Sequence, residues 1–427
     1  MSLFINARVM DPLSGLDQHA DVLVANETVA RIGKSLPLHE LRSDSKIIDC
    51  KGHVLSPGIV DMRVFIGEPG AEHHETMKSA SNAAAAGGVT TLIMMPDTNP
   101  VIDDMSLVEF VRQTARSRSL VRVFPTAALS QGLLGVKMTE FGLLSDAGAI
   151  AFTDGRSSTL DSQMMSRALT YAKDFGKLII STNHDLSLGS GVMNAGLNAT
   201  RLGLSGIPRE SEIIPLERDM RLVAMTEGKY HAATLSTSSS VEVIANAKKK
   251  NLDVTAGVAI ANLCLNELDI GSYRTFFKVL PPLRSEDDRQ SMISGIKEGI
   301  IDVICSNHDP QDVETKRHPF AEAADGVIGL ETLLSASLRL YHTDNVPLMR
   351  LLTCLTSAPA ERLGLKTGRI QVGAPADMML FDPDYPWILR KELLHSRSKN
   401  TAFEGARFQG KVLKTIVSGK IVFSMDE

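Results

Sequence analysis

The chain has 427 residues, 43% of them hydrophobic and 22% charged, with a formal net charge of −5 at pH 7. This composition excludes general disorder, and the length allows two or three domains or one large barrel with an attachment. The acidic balance argues against nucleic acid as a partner; the basic run Lys248-Lys249-Lys250 suits the solvated end of a helix.

In chain order, residues 2–10, 20–25 and 47–49 are apolar or alternating and predict short strands, separated by turn-rich stretches such as Asp11-Pro12-Leu13-Ser14-Gly15. An Ala-rich helix is expected over 75–86, stopped by Gly87-Gly88 and followed by a buried strand over 89–95. The alternation continues with a strand over 149–153, a helix over 161–175 and a strand over 178–181. Next come a strand over 232–236, a helix over 239–250 and a strand over 254–258. A helix over 288–298 leads to a strand over 302–305. Residues 368–370, 378–382 and 412–417 are again strand-like.

Strands alternating with helices imply parallel βα units. The expected fold is α/β: a (β/α)8 TIM-like barrel over 56–365, with a small β-sandwich domain formed from 1–55 and 366–427. A doubly wound sheet is the runner-up. No apolar run reaches the roughly 18 residues of a membrane span. The N-terminus lacks a basic start and apolar stretch, so no membrane partner and a cytoplasmic location are expected. Cys50, Cys264, Cys305 and Cys354 are scattered, which suggests buried reduced thiols.

A barrel carries its chemistry at the C-terminal ends of its strands. Several such segments are distinctive. They include Ser56-Pro57-Gly58-Ile59-Val60-Asp61-Met62, Glu68-Pro69-Gly70, Ala86-Gly87-Gly88-Val89-Thr90-Thr91 and Met95-Pro96-Asp97-Thr98-Asn99-Pro100. Ala151-Phe152-Thr153-Asp154-Gly155, Pro281-Pro282-Leu283-Arg284, Gly329-Leu330-Glu331-Thr332 and Gly373-Ala374-Pro375-Ala376-Asp377 follow in order. As an ordered set these motifs resemble dihydroorotase, a cyclic amidohydrolase of pyrimidine synthesis. The resemblance runs from about residue 56 to 422.

The resemblance implies zinc-assisted hydrolysis of a cyclic amide, or the reverse ring closure. The family needs a His-x-His pair after the first strand, a bridging acidic residue, two later histidines, a proton-moving aspartate and a substrate-binding arginine. Here the His-x-His positions fall on Arg63 and Phe65, and neither side chain can bind zinc. The substrate arginine falls on Gly67, the later histidines on Thr182 and Thr234, and the proton-moving aspartate on Asn307. Asp154 matches the bridging acid. Asp97 replaces an asparagine of the substrate shell and is expected to repel an anionic substrate.

No catalytic residue and no metal cofactor are therefore expected, and the substrate-binding set is left open. Asp154, His184 and His308 are the candidates for a relocated metal site; Asp154 also reads as a turn residue. His73, His74 and His231 lie near the same loops. The resemblance implies a non-catalytic, dihydroorotase-like pseudoenzyme of the amidohydrolase superfamily. Such a subunit would be a homodimer and would partner the aspartate carbamoyltransferase catalytic subunit. The alternatives are an active cyclic amidohydrolase that uses zinc through relocated ligands, and a ligand-binding regulatory barrel.

Overall fold

The structure is a computed structural model that describes residues 1–36 and 45–425. Residues 37–44 and 426–427, which the expected end domain includes, lie outside the described residues.

Eight parallel strands form a closed barrel. In chain order they are Ile59–Val64, Val89–Met94, the two short pieces Arg122–Pro125 and Ala127–Ala128, Ala151–Thr153, Leu178–Ser181, Tyr230–Ala232, Val254–Ala259 and Val303–Cys305. The third strand changes partner midway. Arg122–Pro125 pairs with Val89–Met94, and Ala127–Ala128 pairs with Ala151–Thr153. Closure comes from a parallel bridge between Val64 and His308, where Phe65 N donates to the His308 carbonyl at 2.9 Å. Asp61 adds a second tie, since its Oδ1 accepts Ser306 N at 3.2 Å. This closure replaces the doubly wound alternative, which leaves open sheet edges.

Side-chain caps fix where the barrel helices begin. Thr76 and Ser79 form a capping box for Met77–Ala86. Asp161 caps Ser162–Asp174, Thr237 caps Ser238–Lys249 and Ser285 caps Glu286–Glu298. Apolar side chains fill the barrel interior: Met62, Ile93, Ala151, Ile180, Ala233 and Val303 form one cluster.

Both chain ends meet in one sheet. Its strand order is Lys420–Ser424, Arg407–Val417, Met378–Ile388, Val54–Pro57, Ser2–Asp11, Leu16–Ala25 and Thr28–Gly33, with Lys46–Asp49 pairing Ser2–Asp11. Two sequence expectations shift. The strand expected over 232–236 lies at Tyr230–Ala232, which places Thr234 beyond the strand end. Residues 368–370 form no strand: Gly368 has φ +73°, and Ile370 N is taken by the Asp11 carboxylate at 3.1 Å.

Candidate functional site

The strand ends converge on a filled mouth. Arg63, on the first strand, is 7% exposed and points inward. Its Nε donates to Asn307 Oδ1 at 2.7 Å; its Nη1 donates to Thr182 Oγ1 at 3.1 Å and to the Gly155 carbonyl at 3.3 Å. Three of the sequence-predicted positions thus form one hydrogen-bonded unit around a guanidinium. Thr182 Oγ1 also donates to the Gly155 carbonyl at 2.6 Å, and Asn307 Nδ2 donates to the Leu280 carbonyl at 3.1 Å. Asn307 adopts φ +50°, which asparagine tolerates better than most residues. Burial lowers the Arg63 pKa, with Asp97 and Asp309 opposing that shift. An arginine remains cationic even so.

Thr234 is not bonded into this unit. It lines a cavity of about 10 Å³ together with Thr182, His184, Glu212, Leu280 and Arg284. That space suits one water and no organic substrate. Thr234 Oγ1 has no hydrogen-bond partner among the described residues.

A second cation closes the outer mouth. Gly155, at φ +62°, turns the chain so that Arg156 reaches both acids. Arg156 Nε lies 3.3 Å from Asp97 Oδ2, and Nη1 lies 2.8 Å from Asp309 Oδ2. Burial raises the Asp309 pKa, while Arg156 acts to lower it. Asp97 is therefore not the bare repulsive charge expected from its position, because Arg156 offsets it. No local sequence signal pairs Arg156 with residues so far along the chain. Phe65 packs beneath, its ring centroid 5.9 Å from the Arg156 guanidinium carbon. Gly67 sits in a tight turn where a Cβ would come within 2.1 Å of the Ala71 carbonyl oxygen. An arginine side chain cannot start there unless the loop moves.

Similarity to known proteins agrees with the barrel. A family model described as dihydro-orotase-like matches residues 52–240. A protein named dihydroorotase from Anaplasma phagocytophilum is 39% identical over 426 residues, covering 98% of this chain and 94% of that protein. Another of that name, from Pelobacter propionicus, is 40% identical over 425 residues, covering 99% of this chain and 100% of its own length. The chain belongs to the dihydroorotase family. The solved L-hydantoinase (dihydropyrimidinase) of Arthrobacter aurescens shares the fold, with a TM-score of 0.89 at 23% identity, covering 99% of this chain and 96% of that one.

Asp154, expected from the resemblance at the bridging-acid position, is held by its neighbours. Its Oδ1 accepts Ser130 N at 2.8 Å; its Oδ2 accepts Ser130 Oγ at 2.8 Å and Thr159 Oγ1 at 3.1 Å. Its side chain therefore ties two strand-end loops together, more than the simple turn role expected. Burial raises its pKa, and these donors act the other way. His308 Nδ1 accepts Gly329 N at 3.2 Å, which leaves Nε2 as the protonated nitrogen, 3.4 Å from Glu75 Oε2. The longer distance makes this an electrostatic contact rather than a good hydrogen bond. Glu75 is itself fixed by Ser396 Oγ and by Arg397 N at 3.0 Å. His184 is held through its backbone by Ser158 Oγ at 2.7 Å. Burial, then Arg284, lowers its ring pKa. Elsewhere, His74 Nδ1 meets the Pro310 carbonyl at 3.0 Å and His231 Nδ1 meets Thr255 Oγ1 at 2.8 Å.

The relocated set Asp154, His184 and His308 is thus not gathered into one centre. Among the described residues no group of three or more His, Cys, Asp or Glu side chains is placed to hold a metal ion. A catalytic zinc normally takes three protein ligands. The side chains gathered at this mouth do not fit zinc: the guanidinium of Arg63, the hydroxyls of Thr182 and Thr234, the amide of Asn307 and the phenyl ring of Phe65 offer no imidazole, thiolate or carboxylate ligand set.

Proposed function

We propose that this chain is a non-catalytic dihydroorotase-like subunit of pyrimidine biosynthesis, located in the cytoplasm. It acts as a homodimeric assembly partner of the aspartate carbamoyltransferase catalytic subunit. One observation carries this reading: the Arg63 guanidinium, bonded to Asn307 and Thr182, fills the place where metal ligands and the proton-moving acid of an active family member would converge. A retained barrel around a plugged mouth suits a role in shape and surface. Coupling to a partner then stabilises whichever assembly binds it. The domain division at about residues 55 and 366 belongs to the same reading, with the shared end sheet as the second unit.

The test mixes the purified chain with the catalytic subunit of the same organism and measures mass by light scattering, with dihydroorotate turnover assayed alongside. The reading expects a mixed assembly and no turnover. Two separate peaks would sink the partnership, and turnover would sink the non-catalytic role. A second reading, an active cyclic amidohydrolase, draws support from the dihydroorotase name of the relatives at 39–40% identity. It requires the mouth to open and ligands to move together.

A further inference from the structure

A second cavity, unrelated to the mouth, lies where the helix Leu333–His342 meets the C-terminal strands. Its volume is about 250 Å³, just below the range of roughly 300–1,000 Å³ for drug-sized sites. Trp387, Leu389, Leu394 and Phe423 give it an apolar wall. Trp387 Nε1 already donates to the Gly410 carbonyl at 2.9 Å, so the indole offers the cavity only its carbon surface.

Two basic side chains share this lining. The Lys411 ammonium lies 5.1 Å from the Trp387 ring centroid and 5.7 Å from that of Tyr385. Its cross-strand neighbour Asp382 faces His53 instead, at 3.7 Å. Among the described residues no carboxylate lies within ion-pair distance of Lys411, and partial burial lowers its pKa. The second is His395. Glu331 Oε2 takes His395 Nδ1 at 2.8 Å, while Oε1 accepts His395 N at 2.8 Å and Ser396 N at 3.0 Å. This carboxylate raises the His395 pKa and is fully engaged in doing so. Glu331 meets the ring only at Nδ1 and leaves His395 Nε2 to other partners. An apolar wall with two basic side chains, and among the described lining residues no carboxylate but the engaged Glu331, complements an anion that has an apolar body.

We propose that this cavity binds a small aryl- or alkyl-carboxylate, its hydrocarbon against Trp387, Leu389 and Phe423 and its carboxylate between Lys411 and His395. The site is separate from the barrel mouth, so this proposal stands or falls independently of the function proposed above. Trp387 is the single tryptophan of the chain, so its fluorescence reports on the cavity directly.

The experiment titrates the full-length protein with 3-phenylpropionate and, as a neutral control, 3-phenylpropan-1-ol. The expected result is a saturable change in emission with a dissociation constant below about 1 mM. The alcohol, and the acid on a Lys411→Met variant, should each bind about tenfold more weakly. If the variant does not fold, the acid-to-alcohol comparison on the unaltered protein decides. No saturable change up to about 10 mM overturns the proposal. So does equal binding of acid and alcohol, or a folded variant that binds the acid as well as the wild type does.

Discussion

Replacing Arg63 by methionine keeps an apolar stem of similar reach and removes the guanidinium. Three hydrogen bonds disappear, to Asn307 Oδ1 at 2.7 Å, Thr182 Oγ1 at 3.1 Å and the Gly155 carbonyl at 3.3 Å. Hydrogen bonds from a charged donor contribute about 1.5–3 kcal/mol each, a gross loss of roughly 5–9 kcal/mol. Two effects reduce it. The guanidinium no longer has to be desolvated, and the Gly155 carbonyl keeps the Thr182 hydroxyl at 2.6 Å. The uncompensated remainder is the stranded Asn307 Oδ1 and the loss of a cation near Asp97 and Asp309. The net cost is about 2–4 kcal/mol, close to that of breaking a buried charged pair. Equilibrium urea unfolding followed by far-UV circular dichroism measures it. An Arg63→Ala variant adds a sharper test: its lost stability should return partly in millimolar methylguanidinium and not in methylammonium, which lacks the planar fork. An Arg63→Met protein as stable as the wild type would refute the idea that this cation holds the mouth together.

Other expectations follow from the same geometry. Burial pushes the Asp61 pKa up to about 6 from an ordinary 3.8, so the native state holds this proton more tightly than the unfolded chain does. The resulting stability is present below about pH 4 and is lost as pH rises through about 6, amounting to about 2–3 kcal/mol. Relative to the wild type, Asp61→Asn should therefore gain stability across that window in urea titrations at several pH values; parallel curves would contradict the assignment. Gly67→Arg, which restores the family's substrate arginine, should cost about 2 kcal/mol or more because its Cβ meets the Ala71 carbonyl at 2.1 Å. A thermal midpoint equal to that of the wild type would show that the loop yields freely. Phe65→His restores one zinc-ligand position while Arg63, Thr182, Thr234 and Asn307 stay unchanged, so a spectrophotometric assay should detect no dihydroorotate turnover. Measurable turnover would argue against a mouth blocked at several positions.

Much of the fold was legible because its signals are local. Apolar strand runs, capping residues and glycine stops mark each βα unit, and both end segments are strand-like. Motif order assigns the replaced positions by number, and three of them, Arg63, Thr182 and Asn307, meet in one hydrogen-bonded unit. Contacts between distant residues were not. Sequence alone placed Asp97 as a repulsive charge, whereas Arg156, brought round by Gly155, pairs with it and with Asp309. The Asp154, His184 and His308 grouping looked possible on strand ends, but each residue is held by its own neighbours. The cavity beside Trp387 joins residues from 86 to 425, and no periodicity reports such a meeting.

The most direct test of the filled mouth is the zinc content of protein purified without chelator from zinc-supplemented cells. Less than about 0.1 equivalent per chain is expected, because among the described residues no three His, Cys, Asp or Glu side chains are gathered to hold a metal ion. One or more tightly held equivalents would contradict it, and would mean that the mouth rearranges to bring new ligands together.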